Sequence, residues 1–554
     1  MKVAVVGSGV AGLAATWLLN EHSDHEVDLY ESDSRPGGHA NTVYFTPPGR
    51  KPEEGVYVDT GFIVFNPSTY PNFIKFLKMQ GIKIKPTEMT FSVSRDSGLF
   101  EWAGSNLMTI FCQPYRLLDP NMWRLIYDVL RFNACARSII TSDSDAEISI
   151  GEYLDREGYS ESFRDNYLIP MTACIWSTPP DKCAMDFPAR TLIQFMNNHH
   201  LLQITGKPSW LTLDGGSRVY VNRILSKLPA AKLHLSTPVA SVSTQEGTST
   251  VQLTTSDGVS HAYDHVIFAC HSDTVLDILQ AGKGMTADEQ NVLGMFQWNR
   301  NEAVLHSDTN LMPKSRLAWA CWNFLTTSVF DAQGRRKANS DQLSLYVHLI
   351  TLINGMNDLQ HISETKYGPV LVTLNPPFEP REGIAGRWSY DHPVLDANAV
   401  RAQKLMRTIQ RTRGLSYAGA YLKYGFHEDG FASGLDAARH LLPPGSQLPF
   451  AIDLDVDRRP PSARVAGAFF AVFETTGLRG AVGVVGAWVC AVVGWCVWRR
   501  ARGRSFCRIH HTAAILGIPT FAYLLSGAIL IRVPDGVKVT ERSSDGPMAD
   551  RAIT

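Results

Sequence analysis

The sequence has no excess of charge of either sign and no paired cysteines. Its formal net charge is -1 over 554 residues. Binding to nucleic-acid phosphates needs a clear basic excess, so this balance argues against a nucleic-acid partner. None of the nine cysteines forms a CxxC pair or a zinc-like spacing, which predicts reduced thiols in a cytosolic setting and no metal site. The chain enters an apolar run almost at once, so we expect no secretory signal.

The composition is that of a globular protein with two or three domains. Hydrophobic residues make up 44% and charged residues 19% of the chain, which is ordinary for folded domains of this length.

The first forty residues carry a dinucleotide-binding pattern. Val3–Val6 reads as a buried parallel strand, GSGVAG (7–12) follows it, and apolar positions at helical spacing come next. A second predicted strand ends at Glu31, about twenty residues after the last glycine. Such glycines let a pyrophosphate approach the helix N-terminus, and the acid accepts hydrogen bonds from a ribose. The predicted contacts here are Gly7, Ser8, Gly9, Val10, Ala11, Gly12, Glu31 and Ser32.

A second glycine turn and a later acidic segment accompany this pattern. The stretch ESDSRPGGHANTV (31–43) contains Arg35, Gly37 and Gly38, and YVDTGFIVFNPSTYPNF (57–73) follows closely. By itself a Pro-Gly-Gly sequence is also typical of a surface turn.

Near residue 430 the chain places His427, Glu428 and Asp429 side by side between glycines. Three possible metal ligands or proton carriers in a row suggest an active site. On a helix, however, consecutive side chains diverge by about 100°, so these three could not hold one metal ion. Gly425 and Gly430 instead predict a turn that leads into a helix, which Glu428 or Asp429 would cap.

Taken in order, these and other segments resemble the flavin-containing amine oxidase and phytoene desaturase superfamily. Within it, the chain looks like a group of predicted FAD-binding oxidoreductases often found beside cyclopropane-fatty-acid-synthase-like enzymes. The resemblance covers roughly residues 1–445 and rests on RPGGHANTV, VDTGFIVFN, PSWLTLDGGSRVYV, CHSD, VTLNPP, YDHPV and YAGAYLKYGFHEDGFASGLDAA.

The resemblance implies FAD as the cofactor, bound between two domains. It adds these cofactor contacts: Arg35, Gly37, Gly38, His39, Thr60, Gly61, Val239, Gly419, Phe426, His427, Glu428 and Gly430. One position departs from the pattern, because Ala420 stands where much of the superfamily has an acid that contacts the cofactor. We expect Glu428 or Asp429 to supply that contact.

The expected fold class is α/β. A discontinuous Rossmann-like FAD-binding domain comprises residues 1–75, 206–285 and 401–445. An α+β substrate domain with an antiparallel sheet comprises residues 76–205 and 286–400, and its aromatic residues Trp319, Trp322, Phe324 and Tyr346 are candidates to face the flavin. A linker (446–479), a hydrophobic helical hairpin (480–532) and a disordered tail (533–554) complete the chain.

The hairpin is predicted to attach the protein to a membrane. Residues 480–498 and 512–531 contain no charged residue, and each stretch is long enough to cross a bilayer. A basic segment, RRARGRSFCRIHH, separates them. A re-entrant or interfacial hairpin would leave the catalytic domain in the cytosol. A buried hairpin of a soluble domain is the alternative.

The predicted function is an FAD-dependent oxidoreductase that takes a hydride equivalent from a hydrophobic, lipid-like substrate. Oxygen or another acceptor would reoxidise the flavin. One alternative is an amine oxidase that produces an aldehyde and hydrogen peroxide, and another is a flavin-bound protein that turns over nothing. The sequence identifies no catalytic base. His427, Trp176 and Tyr424 are the candidates for catalytic residues.

Overall fold

The computed structural model describes residues 1–478, except 142–147, 177–184, 186, 204–207, 245–249, 329–350 and 455–463. The strands are β1 (Lys2–Val6), β2 (Glu26–Tyr30), β3 (Thr42–Phe45), β4 (Val56–Asp59), β5 (Ile84–Thr87), β6 (Phe91–Arg95), β7 (Phe100–Ala103), β8 (Trp210–Leu213), β9 (Leu233–His234), β10 (Val239–Thr244), β11 (Val251–Thr255), β12 (Ser260–Tyr263), β13 (His265–Phe268), β14 (Gln297–His306), β15 (Trp322–Thr326), β16 (Thr351–Gly355), β17 (Leu371–Leu374), β18 (Gly386–Val394) and β19 (Leu415–Tyr417).

The helices alternate with these strands. They are α1 (Val10–His22), α2 (Pro71–Met79), α3 (Leu107–Ile110), α4 (Pro120–Cys135), α5 (Ser138–Thr141), α6 (Ile150–Arg156), α7 (Glu161–Phe163), α8 (Ile169–Trp176), α9 (Ala189–Asn198), α10 (Arg218–Leu225), α11 (Ser272–Ala281), α12 (Ala287–Gly294), α13 (Met356–Leu359), α14 (Glu364–Tyr367), α15 (Ala397–Leu405), α16 (His427–Arg439) and α17 (Arg464–Thr475).

A parallel five-stranded sheet forms the first layer, in the order β19-β13-β1-β2-β9. Its central strand is buried along almost its whole length, as expected of a strand covered on both faces. Val5 pairs with Leu29 on one side and with Ile267 on the other. Because β13 and β19 come from far along the chain, this layer is built from separate segments, as the sequence predicted.

The second layer is a seven-stranded sheet in the order β18-β14-β17-β16-β15-β6-β7. All neighbours are antiparallel except β15 and β6, which run parallel. The stretches 302–308, 317–324 and 369–377 are rich in aromatic and β-branched residues, which predicts strands, and they correspond to β14, β15 and β17. The stretch 343–350, predicted to be a strand in the same way, lies outside the described residues. Strands β6 and β7 complete the sheet at the edge next to β15.

Helix boundaries follow local signals where the sequence offers them. Apolar residues at helical spacing in 122–139 predict an amphipathic helix, and α4 covers most of that stretch. The sequence SIGEYLDREGY (149–159) predicts a helix opened by a Ser cap, and the Ser149 side chain accepts a hydrogen bond from the Glu152 N–H at the start of α6.

Helix α17 lies inside the stretch predicted as a linker and corrects that assignment. Phe470 packs edge-on against Tyr127 of α4, with ring centroids 5.4 Å apart, and Glu474 forms an ion pair with Arg131 at 3.2 Å. An apolar residue every third or fourth position gives this segment a face that can pack. The predicted hairpin (480–532) and tail (533–554) lie outside the described residues. Among the helices described up to residue 478, none is long and apolar enough to cross a membrane.

Candidate active site

A cavity of about 320 Å³ opens between the two sheets. Two helices begin at its wall: α1, through Gly9, Val10 and Ala11, and α16, through Phe426 and His427. The first N–H groups of a helix have no intrahelical acceptor, and the helix dipole adds a partial positive charge there. The cavity therefore receives two sets of N–H donors suited to an anionic ligand.

Glycines set the spacing around these two helix starts. A Cβ on Gly12 would lie 1.8 Å from the carbonyl oxygen of Gly7, and a Cβ on Gly434 would lie 2.0 Å from the carbonyl oxygen of Ala11. Both glycines are thus required for close packing. A Cβ on Gly9, by contrast, would meet no protein atom within 4 Å, so this position leaves room for a bound group.

Ser8, in the first glycine turn, hydrogen-bonds both Glu31, the acid predicted to bind the ribose, and the second glycine turn. The Glu31 carboxylate accepts hydrogen bonds from the Ser8 N–H at 2.9 Å and from its hydroxyl at 2.6 Å. The Gly37 N–H donates to the hydroxyl oxygen of Ser8 at 3.1 Å. Arg35 donates to the carbonyl oxygen of Gly38 at 2.9 Å. Ser8 therefore holds the second glycine turn against the first, and Arg35 closes the second turn on itself.

The segment after β4, residues 60–64, forms another part of the cavity wall. A Cβ on Gly61 would lie 2.3 Å from the carbonyl oxygen of His39, which explains a glycine there. The buried Asp59 carboxylate accepts hydrogen bonds from Thr42, Ser217 and Gln360. Burial raises the pKa of Asp59, while these donors oppose the shift. Asp59 thus anchors the segment, a role the sequence did not reveal.

The side chains of His427, Glu428 and Asp429 diverge, as helical geometry requires. His427 stacks on Phe62 with ring centroids 3.6 Å apart and hydrogen-bonds the Tyr220 hydroxyl at 3.0 Å. Burial lowers the pKa of His427 to about 3, so its ring is neutral. Asp429 accepts from the Phe426 N–H at 3.0 Å and so caps its own helix, as expected of one of the two acids.

Glu428 caps a different helix. Its carboxylate accepts from the backbone N–H groups of Asn72 and Phe73, at 2.9 Å and 3.0 Å, at the start of α2. Both carboxylates thus accept backbone N–H groups, that of Glu428 from α2 and that of Asp429 from Phe426. That Glu428 or Asp429 replaces the missing acid at Ala420 stays a prediction. Burial raises the pKa of Glu428 to about 8 and that of Asp429 to about 6.

The structure brings many of the predicted contacts to the cavity wall. They are Gly9, Val10, Ala11, Gly37, Gly38, His39, Thr60, Gly61, Gly419, Phe426 and His427. The remaining predicted positions are not among its lining residues: Gly7, Ser8, Gly12, Glu31, Ser32, Arg35, Val239, Tyr424, Glu428 and Gly430. Trp176 ends α8, but its side chain lies outside the described part of the chain, as does Tyr346.

Several lining residues were missed by the sequence reasoning. His271, Trp298, Tyr390, His392 and Tyr421 all border the cavity. His271 stacks on Trp298 with ring centroids 3.7 Å apart, and the Tyr390 hydroxyl lies 2.6 Å from the Thr60 hydroxyl oxygen. Four of them stand in segments that carried the resemblance: His271 in CHSD, Tyr390 and His392 in YDHPV, and Tyr421 in YAGAYL. Only the pairing of distant strands reveals that their side chains converge.

The open glycine turn and the hydrogen-bond donors at the cavity fit FAD. Gly9 leaves the cradle open, and the starts of α1 and α16 offer donors at two separate places, as a cofactor with a pyrophosphate and a heteroaromatic ring requires. Burial lowers the pKa of the five histidines at the wall, which are His39, His199, His271, His392 and His427. They are consequently neutral near pH 7, where they donate or accept hydrogen bonds without adding charge.

Comparison with known proteins agrees with this assignment. The model of the flavin containing amine oxidoreductase family matches residues 10–281. An L-amino-acid oxidase of Siganus canaliculatus is 40% identical over 84 residues, which are 15% of this chain and 14% of that protein. The chain therefore matches only a small part of this relative's length.

Solved structures share the fold. A CLA-producing fatty acid isomerase from P. acnes has a TM-score of 0.53 at 13% identity, covering 79% of this chain and 98% of that one. Cyclohexylamine oxidase from Brevibacterium oxydans has a TM-score of 0.52 at 14% identity with the same coverage. Reduced UDP-galactopyranose mutase has a TM-score of 0.53 at 16% identity, covering 81% and 95% of the two chains.

Residues 10–281 belong to the flavin containing amine oxidoreductase family. The predicted superfamily, the FAD cofactor and the class of FAD-dependent oxidoreductase are thereby confirmed.

Proposed function

We propose that this chain removes a hydride equivalent from a small hydrophobic, lipid-like substrate, as a desaturase or an oxidase. The observation that carries the proposal is the apolar half of the cavity, which faces β15, β16 and β17. Apolar side chains there would bind a substrate by excluding water. The residues of this half are Ile63, Val64, Cys174, Trp210, Trp322, Leu352, Leu374 and Phe426.

His199 and Asn354 are polar groups within this half. The Nδ1 of His199 lies 3.0 Å from the carbonyl oxygen of Phe195. A carbonyl oxygen can only accept, so Nδ1 carries the proton and Nε2 keeps its lone pair. Burial lowers the pKa of His199 to about 4. We infer that His199 accepts a hydrogen bond from an N–H or O–H group of the substrate.

The charge of the wall favours a neutral substrate. Of the described residues that line the cavity, none is arginine or lysine, so the carboxylate of an amino acid would find no cationic partner. Asp391 is the one carboxylate among these lining residues. It supports the alternative of an amine oxidase, because it could pair with a substrate ammonium group.

The bound flavin would supply the redox chemistry. The protein's part is to hold both partners and to exclude water from between them. The N–H donors of α1 and α16 bind acceptor groups of the cofactor, and the stack of His427 on Phe62 keeps the start of α16 in place. Molecular oxygen or another acceptor would complete the cycle.

Anaerobic mixing tests the proposal. The purified full chain with bound FAD is exposed in turn to a long-chain neutral lipid, a panel of amines and a panel of amino acids. Bleaching of the visible flavin absorbance by the lipid alone is the expected result. Bleaching by amines, with an aldehyde and peroxide formed in air, would replace it with amine oxidation. If nothing bleaches the flavin, the protein is a flavin-bound binding protein and the proposal fails.

We also propose that the protein attaches to a membrane through residues 480–532, with its catalytic part in the cytosol. One feature of the described structure supports this. On α17, just before that segment, Phe469 and Val472 are 61% and 59% exposed and lie one helical turn apart. An exposed apolar face at this place would suit a lipid surface.

Co-flotation with anionic lipid vesicles tests the attachment. Wild-type protein should float with the vesicles. Phe469→Asp should weaken flotation, whereas Val259→Asp, which changes an exposed apolar residue elsewhere, should not. Wild-type protein that stays at the bottom of the gradient would rule out membrane attachment.

A further inference from the structure

Three histidines converge on the cavity wall beside the second glycine turn. The ring centroid of His39 lies 5.4 Å from that of His392 and 6.4 Å from that of His271. His39 directly follows Gly38, and a Cβ on Gly38 would lie 3.1 Å from the Cα of Gly9. The group therefore adjoins the place where the two glycine turns meet, which is the predicted site of the FAD pyrophosphate.

A chain of hydrogen bonds from the seven-stranded sheet ends at His392. It begins at the backbone N–H of Glu302, which lies 3.0 Å from Oδ1 of Asn375. A backbone N–H can only donate, so this contact fixes which side-chain atom of Asn375 is its oxygen. Nδ2 of Asn375 must then donate to Oδ1 of Asn301, 2.8 Å away.

The orientation of Asn301 follows from this contact. Its Oδ1 also accepts a hydrogen bond from Nδ2 of Asn299 at 3.1 Å. Asn375 and Asn299 thus both require an acceptor at that position. Its Nδ2 therefore faces Nδ1 of His392, at 2.8 Å. The amide nitrogen can only donate, so Nδ1 of His392 carries a lone pair and the ring proton sits on Nε2.

His392 therefore has a fixed N–H donor, at Nε2. Nδ1 of His392 faces β14, and Nε2 lies on the opposite side of the imidazole ring. His392 itself lines the cavity. Burial and the neighbouring His271 lower the pKa of His392 to about 4, against a backbone hydrogen bond with Tyr390 that opposes the shift, so the ring is neutral. A neutral N–H donor fits an acceptor-rich ligand without the cost of burying an imidazolium charge.

We propose that His392 binds FAD by donating a hydrogen bond from Nε2, and that Asn375 and Asn301 are positioning residues that fix this polarity. FAD is the expected acceptor because His392 adjoins His39 and the glycine turns. His199, in the apolar half of the cavity where the substrate is placed, differs from His392, because its Nε2 carries a lone pair and accepts a hydrogen bond. The proposal rests on FAD as the cofactor and not on any particular substrate.

Equilibrium binding of FAD to the deflavinated full-length protein, followed by flavin fluorescence, tests the assignment. His392→Phe keeps a ring and removes the donor, and loss of one neutral hydrogen bond should raise the Kd about five-fold. His392→Gln restores an N–H donor near the position of Nε2, so its Kd should stay within about two-fold of wild type. In Asn301→Asp the carboxylate would accept a hydrogen bond from Nδ1–H, so the neutral ring would carry its lone pair on Nε2, and the Kd should resemble that of His392→Phe.

His306→Gln is the control, because His306 lies on the same strand as Asn301 and hydrogen-bonds Thr373 away from the cavity. Equal losses in His392→Phe and His392→Gln would mean that the ring only packs, and would overturn the proposal. An unchanged Kd in His392→Phe together with a raised KM for substrate would move the contact to the substrate and overturn it as well. The FAD measurement needs no substrate, so its outcome is independent of the reaction proposed above.

Discussion

The close packing of α1 against α16 makes Gly434 a sharp test of how this cavity is built. Helix propensity alone predicts that Gly434→Ala stabilises α16, by about 1 kcal/mol, because glycine is a poor helix former. Tertiary packing predicts the opposite. The new Cβ would lie 2.0 Å from the carbonyl oxygen of Ala11, and an ordinary contact begins near 3.4 Å. The helices would have to separate by 3.4 − 2.0 = 1.4 Å.

The magnitude follows from these opposing effects. Overpacking a tight site costs about 1–3 kcal/mol, and backbone on both sides puts this site at the upper end. Subtracting the gain in propensity leaves a loss of about 2 kcal/mol, or roughly a 30-fold fall in the folding equilibrium constant. The same displacement would move the N–H groups of α1 and α16 apart, so the variant should also retain less FAD.

Thermal unfolding and the flavin content of the purified protein measure the two effects. The matched control is Gly467→Ala on α17, where the nearest atom to a new Cβ is the Ala134 carbonyl oxygen at 3.6 Å. This control should be as stable as wild type or slightly more stable, with full flavin. A Gly434→Ala protein with unchanged stability and flavin content would refute the claim that close helix packing shapes the cavity.

Three further predictions concern the same site. His427→Ala removes the stack on Phe62 and should release flavin; flavin that stays bound while turnover is lost would assign His427 to catalysis instead. Gly61→Ala should lower flavin retention, because its Cβ would lie 2.3 Å from the His39 carbonyl oxygen. Full retention would mean that the backbone at His39 can shift to accommodate the added Cβ. Since burial raises the pKa of Glu428 from 4.5 to about 8, the folded state holds the proton more tightly than the unfolded state. The wild-type melting temperature should therefore fall as pH rises through this window, from about 4.5 to about 8. Glu428→Gln should flatten that slope while lowering stability overall, and an unchanged slope would assign the pH dependence to another group.

Local patterns were sufficient for the parts of the site that depend on neighbouring residues. The strand, glycine turn and helix of residues 2–22 repeat a motif whose backbone geometry is set by glycine, so the sequence predicted it almost residue by residue. The capping of α6 by Ser149 and the turn at Gly37 and Gly38 are local in the same sense. The divergence of His427, Glu428 and Asp429 also followed from helix geometry alone.

Contacts between distant segments could not be predicted in this way. Glu428 caps α2, more than three hundred residues earlier in the chain, because folding places the two helix starts side by side. The same holds for Asp59, and for the Asn375, Asn301 and His392 chain, which exists only because β14, β17 and β18 are neighbours in one sheet. Sequence periodicity specifies which residues are strands, but not which strands pair.

The sequence by itself therefore determined the cofactor class, because binding a pyrophosphate at a helix start needs glycines at a short, fixed spacing. Only the tertiary structure decided which side chains surround that cofactor and which way their hydrogen bonds point. Those properties depend on burial and on partners supplied by other segments. The row of three polar residues at 427–429 illustrates the difference. In the sequence it suggests one site, whereas in the folded chain each side chain serves a different element.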